Sequence, residues 1–332
     1  MSGAAAKRGL GPNRVEAVGL GCMSLSHAYG APPDAEHSAR LLNRALDLGY
    51  DHLDSAALYG FGDNENLIGS AIGHRRAEFA LASKCGMTGV DGKRVIDGRP
   101  ETLLRTVDES LRRLRTDVID LYYLHRWDKQ VPIEESVGAM ARMFEAGKVR
   151  ALGLSEVSAA TLLKAHAVHP IAAVQSEYSP WSRNVELGIL EATREIGAAL
   201  VCFSPTARGF LAGQVHSADQ FESGDLRRTM PRFDEANLRL NLGLYAGFEK
   251  LAAGEGLTPA QLSLAWLLTR APHVVVIPGT TSFAHLEENF AVHTVTLSPA
   301  TIDAVDALFP PGAAAGARYP EATLRESDAD EF

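Results

Sequence analysis

No stretch of this 332-residue chain holds the 18 or so consecutive apolar residues of a membrane span, and Met1 to Leu10 lacks the apolar core of a signal peptide. Cysteine is scarce: Cys22, Cys85 and Cys202 are odd in number and far apart, which fits neither a disulfide framework nor the C-x-x-C spacing of a zinc site. A reducing cytoplasm is the expected compartment, with no metal. Positive charge is also in deficit. The net charge is -9 and no stretch concentrates Lys and Arg, which argues against a nucleic-acid partner. A fourth absence is the Gly-x-Gly-x-x-Gly that opens a βαβ unit in open dinucleotide-binding sheets, because Gly19-x-Gly21 lacks the third glycine. What remains, at 46% hydrophobic and 22% charged residues, is the composition of a globular protein long enough to bury a sizeable core.

Short apolar runs recur between amphipathic stretches of helical length, the pattern of repeated βα units. The expected strands are Val18 to Cys22, Asp51 to Asp54, Phe79 to Lys84, Ile119 to Leu124, Val149 to Leu154, Ala172 to Ser176, Ala199 to Phe203 and Val274 to Ile277. Helices are expected over Ala35 to Leu48, Glu101 to Leu114 and Glu134 to Ala146, the last with Val137, Met140, Ala141 and Phe144 on one face. Eight strands in alternation predict a single-domain (β/α)8 barrel of parallel strands, a TIM barrel; an open doubly wound sheet is the rival. Continuous apolar strands such as Val274-Val-Val-Ile fit a sheet covered on both faces. Two segments lack this rhythm. Pro205 to Phe233, after the seventh strand, carries no sustained period and reads as a lid. The tail from Pro310, rich in Ala, Gly, Pro and acidic residues, is expected to end in disorder.

Polar residues stand at the ends of successive strands: Asp54 on the second, Lys84 on the third, His125 on the fourth. In a barrel those ends open on one face, where the βα loops build the active site. Tyr59, five residues after Asp54, is close enough for a short loop to return its phenol to that face. Singly, each has a bland reading: a turn aspartate, a surface lysine, a loop aromatic, a half-buried histidine. Jointly they are complementary. A phenol with a pKa near 10 is a poor acid at neutral pH unless an ammonium such as Lys84 stabilises the phenolate, as about 10 is the unperturbed value. Asp54 would hold that ammonium, and His125 would donate to a substrate oxygen. The set suits carbonyl reduction.

Asp54-Ser-Ala-x-x-Tyr59-Gly, Ala82-Ser-Lys84 and Leu121-Tyr-Tyr-Leu-His125 resemble the catalytic tetrad motifs of the aldo-keto reductase superfamily. Gly153-Leu-Ser155, Val174-Gln175-Ser-Glu-Tyr178, Phe203-Ser204-Pro205 and Ile277-Pro278-Gly279-Thr280 resemble its nicotinamide cofactor segments. The likeness is to bacterial and fungal members that act on aldehydes, and it implies NADPH, with NADH possible, and a small carbonyl substrate. Ser155 and Gln175 would then hold the carboxamide, and Phe203, where relatives often have tyrosine, would stack on the nicotinamide. Ser204, Thr206, Gly209 and Leu211 would surround the pyrophosphate, while Gly279, Thr280, Thr281, His285, Glu288 and Asn289 would hold the adenosine end. Pocket walls are expected from Met23, Tyr29, Arg126 and Trp127. Three departures stand out: Glu156 replaces the usual asparagine, Thr206-Ala207 replaces Leu-Gly, and Ser282 and His285 replace the lysine and arginine of NADPH-preferring relatives. Rival readings are an NADPH-binding redox sensor or accessory subunit, and a Schiff-base aldolase with Lys84 as nucleophile.

Overall fold

The computed structural model describes residues 7–26, 28–90 and 93–332. Eight parallel strands, numbered here β1 to β8, form the barrel: β1 Leu20–Gly21, β2 His52–Asp54, β3 Ala80–Cys85, β4 Leu121–Leu124, β5 Leu152–Ser155, β6 Ile171–Glu177, β7 Ala199–Phe203 and β8 Val274–Val276. Each pairs with its neighbour in sequence order. The ring closes where Val18 bridges Val276 and Gly21 bridges Gly279. A Cβ on Gly21 would stand 2.8 Å from the Ile277 carbonyl oxygen, so this seam needs a residue without a side chain.

Alternation along the strands sorts the side chains. In β7, Ala199 and Val201 point into the barrel, while Leu200 and Cys202 join the outer core under the helices. The interior is built from Ala80, Ala82, Ala151, Ala173, Val275 and the ring of Tyr123. Gly153 leaves room for that ring, since a Cβ there would lie 2.4 Å from it. Leu10 and Val15, from an antiparallel hairpin of Arg8–Leu10 and Asn13–Val15, close the bottom. Arg8 fixes the hairpin by donating to the carbonyls of Leu268 at 2.8 Å and Ala271 at 3.0 Å.

The helices start and stop where capping chemistry directs. Ala35–Leu48 begins at Asp34, whose carboxylate accepts from the His37 N–H, and ends at Gly49 with φ 104°. Pro259–Arg270 begins with a reciprocal Thr258/Gln261 capping box; such a cap stabilises by about 1 kcal/mol. The expected face of the fourth-strand helix is rotated. In Ile133–Glu145 the buried residues are Ile133, Ser136, Val137, Ala139, Met140 and Met143, whereas Phe144 is exposed and stacks edge-on against His169.

Two expected irregular segments are ordered. The segment after β7 folds into short helical turns at Ala207–Gly209, Ala218–Gln220, Leu226–Thr229 and Pro231–Phe233. Phe210, Val215, Phe221, Met230 and Phe233 bury along it, so periodicity is absent because the turns are short and not because packing is. The tail does not end in disorder. It forms a helical turn, Glu321–Leu324, and is tied down by Arg318, Asp328 and Glu331. A second hairpin, Met87–Val90 with Lys93–Ile96, follows β3. Among the described residues no helix is long and apolar enough to cross a membrane.

Candidate active site

The inward positions that are apolar in the lower barrel become polar at its upper end. Two steps beyond Ala82 stands Lys84, two beyond Ala173 stands Gln175, two beyond Tyr123 stands His125, and Ser155 and Asp54 share the same phase on β5 and β2. Alternation alone therefore aims all five at one mouth. A cavity of about 1160 Å³ opens there.

Lys84 is fully buried behind the wall of that cavity. Its ammonium donates to the Asp54 carboxylate, to the Ser55 carbonyl at 2.7 Å and to the Tyr59 phenol oxygen at 3.2 Å. Three donors meet three acceptors. Burial works against the lysine's charge, but Asp54 and Tyr59 outweigh it and raise its pKa. Tyr59 responds the other way from the sequence expectation: burial raises its pKa, and the pull of Lys84 offsets that only in part. The phenol thus keeps its proton through neutral pH. His125 meets the Tyr59 ring edge-on, with centroids 5.8 Å apart. The second Asp54 oxygen accepts from the Gln175 amide at 2.7 Å, which leaves the glutamine's own oxygen as an acceptor.

Most of the other sequence-singled residues line the same cavity. Ser155, Gln175 and Phe203 lie near the barrel axis, followed by Ser204, Thr206 and Gly209 on the loop after β7. Gly279, Thr280, Thr281, His285, Glu288 and Asn289 line its far arm, where Ser282 caps the helix Phe283–Phe290. Met23, Tyr29 and Arg126 line the near end. Two residues do not. Leu211 is wholly buried in the core with its N–H bonded to the Thr206 carbonyl at 3.0 Å. Trp127 packs on the outer core and donates to the Val131 carbonyl at 2.8 Å. The loop after β7 has left-handed backbone at Ser204 (φ 49°) and at three successive residues, Ala207 (φ 52°), Arg208 (φ 58°) and Gly209 (φ 88°).

Sequence reasoning missed a buried ionic cluster beside this site. Glu156 has φ 54°, the left-handed conformation an asparagine would take more easily. Its carboxylate accepts from the Glu177 N–H at 2.9 Å and from Arg318 at 3.1 Å. Glu177 accepts from Ser182 at 2.9 Å and Arg208 at 3.0 Å, and Arg208 donates on to the Tyr319 hydroxyl at 2.6 Å. Burial opposes both carboxylates' charge. Arg318, then Arg126, nevertheless hold Glu156 below the usual range, and Arg208, Arg318 and Arg232 bring Glu177 to about 2. The tail thereby clasps the ends of β5 and β6 and the loop after β7. Tyr319 also lines the cavity, together with Thr323 and, from the second hairpin, Arg94.

Residues 17–309 match the Aldo/keto reductase family. The chain is 43% identical over 320 residues to "Aldo-keto reductase yakc [NADP(+)]" of Schizosaccharomyces pombe, covering 94% of each chain. A glycerol dehydrogenase from Gluconobacter oxydans superposes with a TM-score of 0.84 at 29% identity, over 92% of this chain and 95% of that one. An aldo-keto reductase from Klebsiella pneumoniae in complex with NADPH superposes at 0.72 with 26% identity, over 95% and 99% of the two chains. A (β/α)8 barrel with this set of polar strand ends, matched along nearly its whole length, belongs to the aldo/keto reductase family.

Proposed function

We propose that the protein reduces an aldehyde or ketone to the alcohol with NADPH, Tyr59 acting as general acid. One observation carries this reading: the Lys84 ammonium is pinned between Asp54, the Ser55 carbonyl and the Tyr59 phenol, with that phenol on the wall of the cavity. The cavity, about 1160 Å³, has room for a dinucleotide, and polar groups line it from the barrel mouth to the helix Phe283–Phe290. The Gln175 oxygen and Ser155 hydroxyl suit a carboxamide, the left-handed turn at Ala207 to Gly209 suits a pyrophosphate, and Thr280, Thr281 and the helix end at Ser282 suit the 2′-phosphate. Support for the phosphorylated cofactor comes from the fission-yeast relative and the Klebsiella complex. NADPH supplies the hydride.

The chain's own part is proton delivery and charge stabilisation. Because its oxygen accepts from Lys84, the Tyr59 phenol gives up its own proton to the carbonyl oxygen as that oxygen becomes an alkoxide. The ammonium beside it stabilises the phenolate left behind. His125, on the same wall, orients the carbonyl by hydrogen bonding. Lys84 does not suit a Schiff-base nucleophile: its amine is held protonated with three acceptors and stands behind the cavity wall. NADPH oxidation against a panel of aldehydes, ketones and quinones tests the activity. Tyr59→Phe should lower kcat by about 100-fold or more while NADPH still quenches protein fluorescence, and a variant that reduces carbonyls near the wild-type rate would remove Tyr59 from its role.

A further inference from the structure

Four arginines line the cavity, and three of them are neutralised within the protein. Arg94 pairs with Glu326, Arg208 with Glu177 at 3.0 Å and Arg227 with Asp225 at 2.6 Å. Arg126 differs. Among the described residues no carboxylate lies within ion-pair distance of it, and its hydrogen bonds are both made by Nη1, to the His125 carbonyl at 2.7 Å and the Ser155 hydroxyl at 3.2 Å. Asp128, two residues on, bonds instead to the N–H groups of Gly98 at 3.1 Å and Gln130 at 3.0 Å. Glu156 feels the charge of Arg126, but its carboxylate is engaged by Arg318 and the Glu177 N–H.

Those two Nη1 bonds fix the half-buried guanidinium to the wall between His125 and Ser155, at the end of the cavity where the carbonyl would react. Its charge reaches that centre, since Arg126 is one of the groups that pull the Tyr59 phenol down against burial. The phosphate-binding positions assigned to the cofactor do not account for it, because they follow β7 and β8, whereas Arg126 follows β4, three strands away round the barrel. A guanidinium held on a cavity wall with donors to spare makes strong, directional bonds to a carboxylate or phosphate, and gains far less from a neutral group of the same shape.

We infer that Arg126 is the anion-recognition residue of the substrate end, so that the favoured substrates are aldehydes or ketones bearing a carboxylate or phosphate group. This rests on the carbonyl-reductase reading above. Matched pairs test it with saturating NADPH: 4-carboxybenzaldehyde against methyl 4-formylbenzoate, and glyceraldehyde 3-phosphate against glyceraldehyde. In at least one pair the anion should exceed its neutral analogue in kcat/KM by about 10-fold or more, the scale of a hydrogen bond to a charged group. The pair with the larger ratio identifies the anion. Arg126→Gln should collapse that ratio, chiefly through KM for the anion, and Arg126→Lys should keep part of it. Using a ratio removes any general loss of activity or folding. Reduction of the neutral compounds with a flat ratio in the wild type, or a ratio unchanged in Arg126→Gln, overturns the anion site alone. No NADPH oxidation with any of the four compounds overturns the reductase reading and this inference with it.

Discussion

Two ionic clusters flank the barrel mouth, one compact and buried, the other reaching the surface at Glu331. The first is small: Asp54, Lys84 and Tyr59, with Gln175 completing the aspartate's bonds. Its cation has all three donors satisfied, yet one of those bonds goes to a neutral phenol that can lose a proton. The second is extended: Glu156, Glu177, Arg208, Arg318 and Glu331, with the Tyr319 and Ser182 hydroxyls and a backbone N–H filling the remaining sites. There carboxylates meet guanidiniums whose charge is permanent, and the cluster's one phenol, Tyr319, has its pKa pushed up to about 12 by burial, so its proton stays in place at working pH. The lesson is that burying charge does not by itself mark chemistry. A site for proton transfer needs a member whose protonation state can change.

Removing the cation from each cluster separates the two roles. Lys84→Met should cut carbonyl reduction by about 100-fold or more, because nothing then stabilises the phenolate form of a tyrosine whose pKa burial already raises. It also leaves Asp54 buried without its partner, so the variant should unfold more easily. The double change Asp54→Asn with Lys84→Met tests this: melting temperature should recover while activity does not. Arg318→Met should show the opposite balance. Leaving Glu156 buried without its guanidinium partner should cost about 3–5 kcal/mol in stability, read by denaturant unfolding, with kcat per folded molecule changed only a few-fold. An Arg318→Met enzyme as inactive as Lys84→Met would merge the clusters into one functional unit.

The same contrast explains what could be read from sequence. Asp54 and Lys84 are legible because each sits on a strand whose alternation sets its direction, His125 because it directly follows one, and Tyr59 because it follows within one short loop. The bounds of β7 and of the helix Ala35–Leu48 emerge unchanged for a related reason, as local apolar periodicity and an Asp34/Gly49 cap define them. The second cluster was not legible. Arg318 lies 162 residues from Glu156, in a tail whose Ala, Gly and Pro content signals disorder, and only tertiary structure brings them to 3.1 Å. Glu156 did announce itself as a departure from the family pattern, but its partner could not be named. Phe144 was misplaced because periodicity gives a helix's apolar arc without saying which edge of that arc the neighbouring helix leaves open.

Acid should expose a further difference. The pKa of Glu177 is depressed from 4.5 to about 2 by its arginines, so its ionised form is bound more tightly in the folded chain than in the unfolded one. The sign follows directly: that stabilisation is complete above pH 4.5 and is lost as pH falls toward 2. Glu156, also held below its usual range, adds to the same loss. Glu177→Gln should therefore be less stable than the wild type at neutral pH, with the gap in melting temperature narrowing as pH drops from about 5 to 3. A constant gap would mean that Glu177 contributes through packing and its hydrogen bond to Ser182 and not through charge.

The smallest expected effect lies at the far arm of the cavity, away from both clusters, where charge is sparse. His285 stands in the first turn of the helix Phe283–Phe290, its N–H capped by the Ser282 hydroxyl at 3.4 Å and its ring 3.4 Å from the Gln214 amide. Beside it the helix end and the hydroxyls of Thr280, Thr281 and Ser282 offer neutral donors to a phosphate, while Glu288 is drawn off by a hydrogen bond from Thr258. An arginine at 285 would add a permanent charge with donors in a planar fork, matched to a phosphate dianion and indifferent to a ribose hydroxyl. His285→Arg should therefore raise the NADPH-to-NADH ratio of kcat/KM by about 3- to 10-fold, a gain of roughly 1 kcal/mol for a charge at a half-exposed site, through KM for NADPH with kcat unmoved. A ratio that stays flat would assign cofactor choice to the hydroxyls and the helix end. A fall in kcat would instead join this arm to the chemistry at Tyr59, which the separation of the two ends of the cavity argues against.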